Sequence, residues 1–558
     1  MVQKFIGFLY KETKTLNQAA FLLGFFAILS QVLAFLRDRL LAHIFGVSSD
    51  LDIYYAAFRI PDFIFVTVAS VVSISVLVPF IIEKDVYGRE ELRKFIDNIF
   101  SFFSVLIVSV ASVAFIFMPI LSKLLFRGMP DEMLSEVVTI SRLMLLSPVF
   151  LGFSNLFGSL TQAYNRFTVY ALSPLLYNVG IILGTIFLTD KYGIYGVAIG
   201  VVVGACMHAL VQVPFVIKSG LLPRPSLPFD LSIIKRVSII SLPRTLTLSM
   251  NQLAFIFLVS MASVMAAGSI SVLSFSNNLQ SVLLSIVGVS YSLAAFPTLS
   301  RHFQDNDLKS FTRQMANTTK LIIFWSLPLT ALFIVLRAQI VRVILGSGEF
   351  NWNDTRLTAA ALALFILSSL AQSLLLLFMR GFYSAGQTKK PFFINLYSSI
   401  FLILISFALV KIFAYSEGFR YFITSLLKVE DISATAVLML PLGFSIGTII
   451  NAIVHWYSFE KEFKGFSKEV LPTLFQSFGV SVIMGAAAYV GLNIFASFYN
   501  PISLIGIFLQ GFLAGMFAIL VGIIIFHALG SRELKEVWFG IKSRFWKTKV
   551  IATDPEIV

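Results

Sequence analysis

The strongest constraint on this chain is that apolar stretches of about 20 residues recur along almost its whole length, and a helix of that length crosses the hydrocarbon core of a bilayer. Fourteen follow one another, centred near Gln31, Ala69, Val108, Leu151, Ile182, Gly204, Asn251, Val287, Pro328, Ser369, Leu404, Ser445, Met484 and Phe517. The breaks between them carry Pro, Gly or charge, as at Asp190, Lys191 and Gly193. Strand-like alternation is missing, which argues against a β-barrel. Composition points the same way: 58% of the residues are hydrophobic and only 13% are charged, where a soluble domain carries about 25% charge. A soluble core has no room for 58 Phe. The same numbers exclude a disordered chain, and the single Cys206 excludes a disulfide scaffold. The expectation is an all-α polytopic membrane protein with about fourteen transmembrane helices.

Lys and Arg orient those helices, because cytoplasmic loops collect them. With the N-terminus inside and sides alternating, the inner segments hold 28 of the 42 Lys and Arg and the outer segments 7. Both termini are therefore predicted to be cytoplasmic. The net charge of +13 is then mostly an orientation device and calls for no nucleic acid. No cleavable signal peptide is evident; Lys4, Lys11 and Lys14 flank Phe5, Ile6, Phe8 and Leu9, the pattern of a short interfacial helix.

The predicted organisation is an interfacial segment at 1–17, a six-helix half at 18–218, a cytoplasmic linker at 219–232, a second six-helix half at 233–458, two further helices at 470–528 and a cytoplasmic tail at 529–558. The halves echo each other weakly. Leu125-Phe126-Arg127-Gly128 precedes the fourth span and Leu345-Gly346-Ser347-Gly348 the tenth. Paired halves are how many transporters build a cavity that opens alternately to each side; chance similarity of apolar segments is the competing reading.

Charge inside a span is costly, about 2.5–3.5 kcal/mol per residue on insertion scales, so such residues are functional candidates. They concentrate in the first two spans: Arg37, Asp38, Arg39, Arg59 and Asp62. Arg37 lies about 30 Å along its helix at 1.5 Å per residue, toward the outer side, and Arg59 enters the next span from that side. Neighbouring residues diverge by about 100° on a helix, so Arg37 and Asp38 are not expected simply to neutralise one another. Two readings stand: snorkelling to outer headgroups, or guanidinium groups in a hydrated cavity that binds a phosphorylated headgroup. Arg244 is a third candidate, beside Pro243, about 12 Å in from the cytoplasmic face at eight residues past Arg236. Asn251 and Gln252 read first as interhelical glue, and Arg142, Arg337 and Arg342 as snorkelling anchors. The five histidines form no metal-ligand spacing, and no Gly-rich phosphate loop is present. Neither an enzyme, a cofactor nor a metal site is indicated.

The residues Leu36-Arg37-Asp38, Phe45-Gly46, Asp52 and Ala57-Phe58-Arg59-Ile60-Pro61 resemble the opening of the lipid II flippase family (MurJ, also called MviN). The likeness continues through Asn165-Arg166-Phe167, Pro174 and Asn178, Ala295-Phe296-Pro297-Thr298-Leu299-Ser300, Gly348-Glu349-Phe350 with Asp354 and Thr355, and Arg380-Gly381-Phe382-Tyr383 with Thr388 and Pro391. These landmarks run in order from about residue 18 to 400. The resemblance implies an exporter of the multidrug/oligosaccharidyl-lipid/polysaccharide superfamily in the bacterial inner membrane. Its implied substrate is an undecaprenyl-diphosphate-linked peptidoglycan precursor, moved from the inner to the outer leaflet by alternating access. Membrane lipids and cell-wall synthesis proteins are its implied partners. It also implies that the last two spans form a groove for the lipid tail; Gly485, Ala486, Ala487, Ala488, Gly511, Ala514 and Gly515 suit that role or plain close packing.

The chain departs from the family pattern at two cations. Gln31 stands where the family carries an arginine six residues before its Arg-Asp pair, and Asn278 stands at the family's arginine in span eight. The expected headgroup or gating residues are thus Arg37, Asp38 and Arg59, then Arg244 as partial compensation, and Asn278 as a cavity-lining residue. The alternatives are a flippase for another undecaprenyl-linked glycan, a drug exporter of the same superfamily, and a non-transporting membrane scaffold.

Overall fold

The computed structural model describes residues 16–69, 74–498 and 503–545; the side chains of residues 16–21, 74, 75, 240, 243, 244, 248 and 540–545 lie outside the description. All regular structure among the described residues is helical, as the composition predicts. Among the described residues eleven helices are long and apolar enough to span a membrane, and twelve if the bent pair Trp352–Ile366 and Ser369–Ser384 is one span, where hydropathy leads to an expectation of fourteen.

The longer helices are α1 (Leu16–Phe45), α2 (Ser49–Ile64), α3 (Ile74–Val86), α4 (Arg89–Leu125), α5 (Asp131–Met144), α6 (Leu146–Ala163), α7 (Phe167–Phe187), α8 (Ile194–Leu210), α9 (Leu231–Ala262), α10 (Ser269–Leu283), α11 (Ser290–Gln304), α12 (Leu308–Val335), α13 (Arg337–Leu345), α14 (Trp352–Ile366), α15 (Ser369–Ser384), α16 (Lys389–Tyr415), α17 (Glu417–Leu427), α18 (Met439–Glu462), α19 (Phe466–Ala496), α20 (Leu504–Ala528) and α21 (Arg532–Phe545). Several of them start at side chains that accept the first free backbone N–H groups. Asp230 takes the Ser232 N–H at 2.9 Å, Asp307 the Ser310 N–H at 2.9 Å, and Asn351 and Asp354 cap each other's backbone at 3.0 Å each. Two π-helical turns interrupt the regularity, at Phe65–Ala69 after α2 and at Leu284–Val289 after α10. Such turns mark places where a helix has been re-aimed, often beside a site.

The chain divides into two compact units: Met1–Val282 with Val341–Ser368 and Gly386–His455, and Leu283–Ile340 with Ser369–Ala385 and Trp456–Val558. Lipid is as apolar as the side chains it replaces, so helices associate through close packing and interhelical hydrogen bonds. In the first unit α7 and α8 meet through glycines: a Cβ on Gly180 would overlap the backbone of Gly204, and one on Gly184 that of Gly200. That seam permits no larger residue. The linker is strapped to α4, where Asn98 exchanges two hydrogen bonds with the backbone of Asp230 (3.2 and 2.8 Å) and Ser101 accepts from the Ser226 N–H at 2.8 Å. In the second unit α12 packs on α19 and α19 on α20, around Phe324, Leu332, Met484, Ala488, Ala514 and Phe526.

Candidate functional site

The first unit buries a ladder of polar contacts between α2 and α1 on one side and α10 on the other. Ser271, Ser274 and Asn278 fall at i, i+3 and i+7, so they share one face of α10. Asp52, Arg59 and Asp62 fall at i, i+7 and i+10 on α2 and share a face likewise. Two rungs join these faces and a third joins Asn278 to Asp38 of α1, over roughly 10 Å of α10.

At the first rung the Asp52 carboxylate, 4% exposed, caps the start of α10. It accepts the Gly268 N–H at 2.7 Å, the Ser271 N–H at 2.7 Å and the Ser271 hydroxyl at 2.6 Å. Three donors compensate a buried carboxylate, and the helix N-terminus adds its positive end. Around this rung the chain approaches itself closely. Gly268 has φ +85° and Val47 lies where its Cβ would be; Gly348 has φ +56° and faces the His43 carbonyl in the same way. Only glycine fits there, in both conformation and space.

At the second rung Arg59 donates to the Ser274 hydroxyl at 3.1 Å and lies 5.0 Å over the ring of Phe255. Its Nε is buried and has no hydrogen-bond partner. Asp62, one turn on, accepts from Gln252 of α9. Gln252 is interhelical glue, as its sequence context suggests, while Asn251 is exposed. Tyr54 and Tyr55 stack edge to face at 5.2 Å, and Tyr55 meets Phe275 at 5.8 Å, giving the ladder an aromatic wall.

At the third rung Asp38, 3% exposed, is held from two sides. The Arg37 Nε and Nη2 both donate to its Oδ1, at 2.9 and 2.7 Å, and the Asn278 side chain donates to its Oδ2 at 3.1 Å. The direct ion pair qualifies the expectation that Arg37 and Asp38 do not simply neutralise one another. The Cα–Cβ directions do diverge, but the arginine side chain is long enough to fold back. The pair is still not self-contained: Arg37 Nη1 donates to Asn178 Oδ1 of α7 at 3.1 Å, and Asn178 in turn donates to the Pro174 carbonyl at 3.2 Å. An Arg–Asp pair in this setting survives because every charge is hydrogen-bonded more than once.

Of the residues expected from sequence, the structure therefore brings Arg37, Asp38 and Asn278 into one cluster and places Arg59 on the neighbouring rung. Arg244 lies in α9, and its side chain is outside the described residues. Gln31 is partly buried in α1. Arg39 serves a different end, donating to the Val343 and Ile344 carbonyls (2.6 and 3.3 Å) and so closing the C-terminal end of α13. Arg142, Arg337 and Arg342 likewise bind nearby carbonyls, of Phe115, Ile334 and Phe350. His208 is satisfied by Ser154 at 2.6 Å. No cluster of metal-ligating side chains occurs among the described residues.

Sequence reasoning assigned Asp52, Asn178 and Ser274 no role. The signal for Ser274 and Asn278 together was the i, i+3, i+7 spacing from Ser271. Asp52 binds residues more than 200 positions away, and no local pattern carries that.

The second unit holds a feature of opposite character. Leu329, Leu332, Phe333, Leu336 and Ile340 face Gly511, Phe512, Gly515, Met516 and Ile519 across an apolar groove of about 240 Å³. The small residues of the last two spans differ in their surroundings. Ala488 and Ala514 are fully buried and Gly491 packs on Ala514, whereas Gly511 and Gly515 form the groove floor.

A polar ladder inside a bundle of apolar helices, with mid-helix breaks next to it, belongs to a polytopic transporter fold. Solved structures agree on that fold: a lipid II flippase MurJ in an inward closed conformation aligns with TM-score 0.72 at 22% identity, covering 91% of this chain and 99% of its own. An inward-facing multidrug resistance MATE transporter of the MOP superfamily aligns with TM-score 0.63 at 15% identity, covering 78% and 96%. The chain belongs to the lipid II flippase MurJ family, whose model matches residues 41–510. It is 25% identical over 404 residues to a probable lipid II flippase MurJ of Buchnera aphidicola subsp. Baizongia pistaciae, covering 71% of this chain and 78% of the relative. It is 24% identical over 378 residues to the lipid II flippase MurJ of Burkholderia cenocepacia, covering 66% and 73%.

Proposed function

We propose that the ladder binds the diphosphate-sugar head of lipid II and moves it from the inner to the outer leaflet of the bacterial cytoplasmic membrane, by alternating exposure to the two sides. A diphosphate head cannot cross hydrocarbon unaided, and a hydrated cationic cavity is what lowers that barrier. The observation that carries the reading is Arg59: a half-buried guanidinium whose buried Nε is a donor left over, beside a hydroxyl and an aromatic face. Guanidinium matches phosphate oxygens in geometry as well as charge. Arg37 and Asp38 would act with it as a gate that opens when the head competes for Arg37, and Asn278 would line the cavity while steadying Asp38.

The experiment is complementation of a strain depleted of its own flippase, followed by a leaflet assay of labelled lipid II. Arg59→Ala is expected to abolish flipping and Arg59→Lys to restore part of it. Wild-type flipping by Arg59→Ala would overturn the reading. Arg244 is proposed to supply a second guanidinium to the head, in partial compensation for Gln31 and Asn278. If Arg244→Ala flips as well as wild type while Arg37→Ala does not flip, that role is wrong. The groove between α12 and α20 is proposed for the polyprenyl tail. Both termini are proposed to face the cytoplasm, where cell-wall synthesis proteins would meet the chain; impermeant labelling of single cysteines in intact cells tests that.

A second reading, transport of another undecaprenyl-linked glycan, is favoured by the loss of two cations at Gln31 and Asn278. Competition of lipid II flipping by such a glycolipid, at concentrations where lipid II competes poorly with it, would select that reading.

A further inference from the structure

Helix α21 lies beyond residue 510, where the family match ends. It starts four residues after α20 ends, across a turn in which Gly530 has φ +68°, and it packs on α12 and α20. Its roll is fixed. Glu533, 7% exposed, accepts from Thr473 of α19 at 2.9 Å and from Ser531 at 2.8 Å, and Leu534 and Val537 rest on the core around Phe324, Met484 and Phe526. With that face committed, the opposite one carries two large aromatic residues in the open: Trp538 is 63% exposed and Phe539 71%. Lys535, also exposed, precedes Trp538 by three residues and Phe539 by four, so it sits one turn before both. The register places Lys542 one turn after both. An aromatic pair bracketed by two lysine positions, on a helix docked at the end of a membrane span, matches the layer where hydrocarbon meets phosphate.

We propose that this face of α21 is a lipid-surface dock, in which Trp538 and Phe539 enter the headgroup layer of an anionic leaflet while Lys535 and Lys542 meet its phosphates. Because Leu534 and Val537 rest on the core shared by α12, α19 and α20, docking steadies the helices that wall the apolar groove. The leaflet is the cytoplasmic one if the proposed topology holds; the docking itself does not depend on that, or on the transported lipid.

The test uses the full chain with Cys206→Ser and Phe539→Cys, carrying a nitroxide and reconstituted in nanodiscs, whose two faces are both open to reagents. Relaxation by oxygen against a water-soluble nickel chelate reads depth. In discs containing phosphatidylglycerol the label is expected to favour oxygen several-fold, and adding Lys535→Glu and Lys542→Glu is expected to return it toward the nickel reagent. A label equally open to nickel in anionic and neutral discs overturns the proposal, as does a depth that the two lysine substitutions leave unchanged. A label exposed in anionic discs and shielded only by added cytoplasmic protein makes this a protein contact and overturns it too. A parallel label at Glu536→Cys, off the docking stripe, should stay open to nickel and confirms that α21 is folded.

Discussion

The polar ladder of the first unit and the apolar groove of the second are both buried surfaces in a membrane protein, and they are built on opposite rules. In the ladder the charges are answered by named partners, Asp52 by three donors, Asp38 by an arginine and an asparagine, Arg37 by an aspartate and an asparagine, and only the Arg59 Nε is left over. In the groove the walls are aliphatic and aromatic side chains and two glycines. The ladder is specified by direction, because a hydrogen bond lost in a low-dielectric interior costs its full desolvation. The groove is specified by volume, because its walls interact through dispersion and shape. One suits a charged head and the other a hydrocarbon tail, and substitutions should fail differently in the two.

The largest effect is expected at the third rung. Arg37→Ala leaves the Asp38 carboxylate almost fully buried with Asn278 as its remaining partner, and breaking a buried pair this way costs about 3–5 kcal/mol. Flipping in the leaflet assay should fall below detection even if the protein still inserts. Asn278→Asp should come next: it replaces a donor to Asp38 with a second carboxylate, and flipping should drop by at least about 100-fold, as expected for like charges at contact. Asn278→Arg is the informative reverse, since it returns the family's cation to this rung. Near wild-type flipping by Asn278→Arg together with loss in Asn278→Asp would make charge the property that this rung selects. Equal loss in both would assign the selection to size.

The groove should respond more gently and to a different variable. Gly515→Leu fills its floor, where a Cβ would stand 3.4 Å from Leu336. Overfilling an apolar site costs about 1–3 kcal/mol, so flipping of the natural long-chain substrate is expected to fall about tenfold. An analogue with a short prenyl chain should lose nothing. Equal loss for both chain lengths would remove the tail from this groove and leave a packing defect as the explanation.

How much of this was legible in the sequence differs between the two regions for the same reason that the regions differ. The class of fold was legible throughout, because a helix in lipid must be apolar over its length and hydropathy reads that directly. The ladder was legible as a set of residues: Arg37, Asp38 and Arg59 stand out because charge in a span is expensive. Its connections were not. Asp38 meets Asn278 across 240 positions, Arg59 meets Ser274 across 215, and the partner serines and asparagines are too common in apolar helices to signal themselves. The expectation that Arg37 and Asp38 do not simply neutralise one another was legible in part: the long arginine side chain folds back to pair with Asp38, yet both groups keep further partners in Asn178 and Asn278. The groove was legible only as a choice between two roles for small residues. In the structure Ala488 and Ala514 lie in the buried core, and Gly511 and Gly515 line the groove.

A second Arg–Asp pair isolates what burial adds to the ladder. Arg356 donates to both carboxylate oxygens of Asp431, at 2.6 and 2.5 Å, and to the Lys428 carbonyl at 2.6 Å. The geometry is closer to an ideal fork than that of Arg37 and Asp38, yet Asp431 stands in solvent, where water and salt screen it. The hydrogen bonds from Arg356 hold the Asp431 carboxyl below its ordinary range. A carboxyl whose folded value is depressed stabilises the fold above its unfolded value and loses that contribution as pH falls through the folded one. The expected pattern is therefore a small drop in Tm for Asp431→Asn at neutral pH that vanishes in strong acid, with flipping unchanged. Salt should erase the neutral-pH difference as well, because exposed pairs are screened. Asp38→Asn, with the same chemical change, should abolish flipping at neutral pH and be indifferent to salt. If the two substitutions proved equally sensitive to salt, the ladder would have to be open to water throughout, and its charges would be held by hydration rather than by the asparagines on either side.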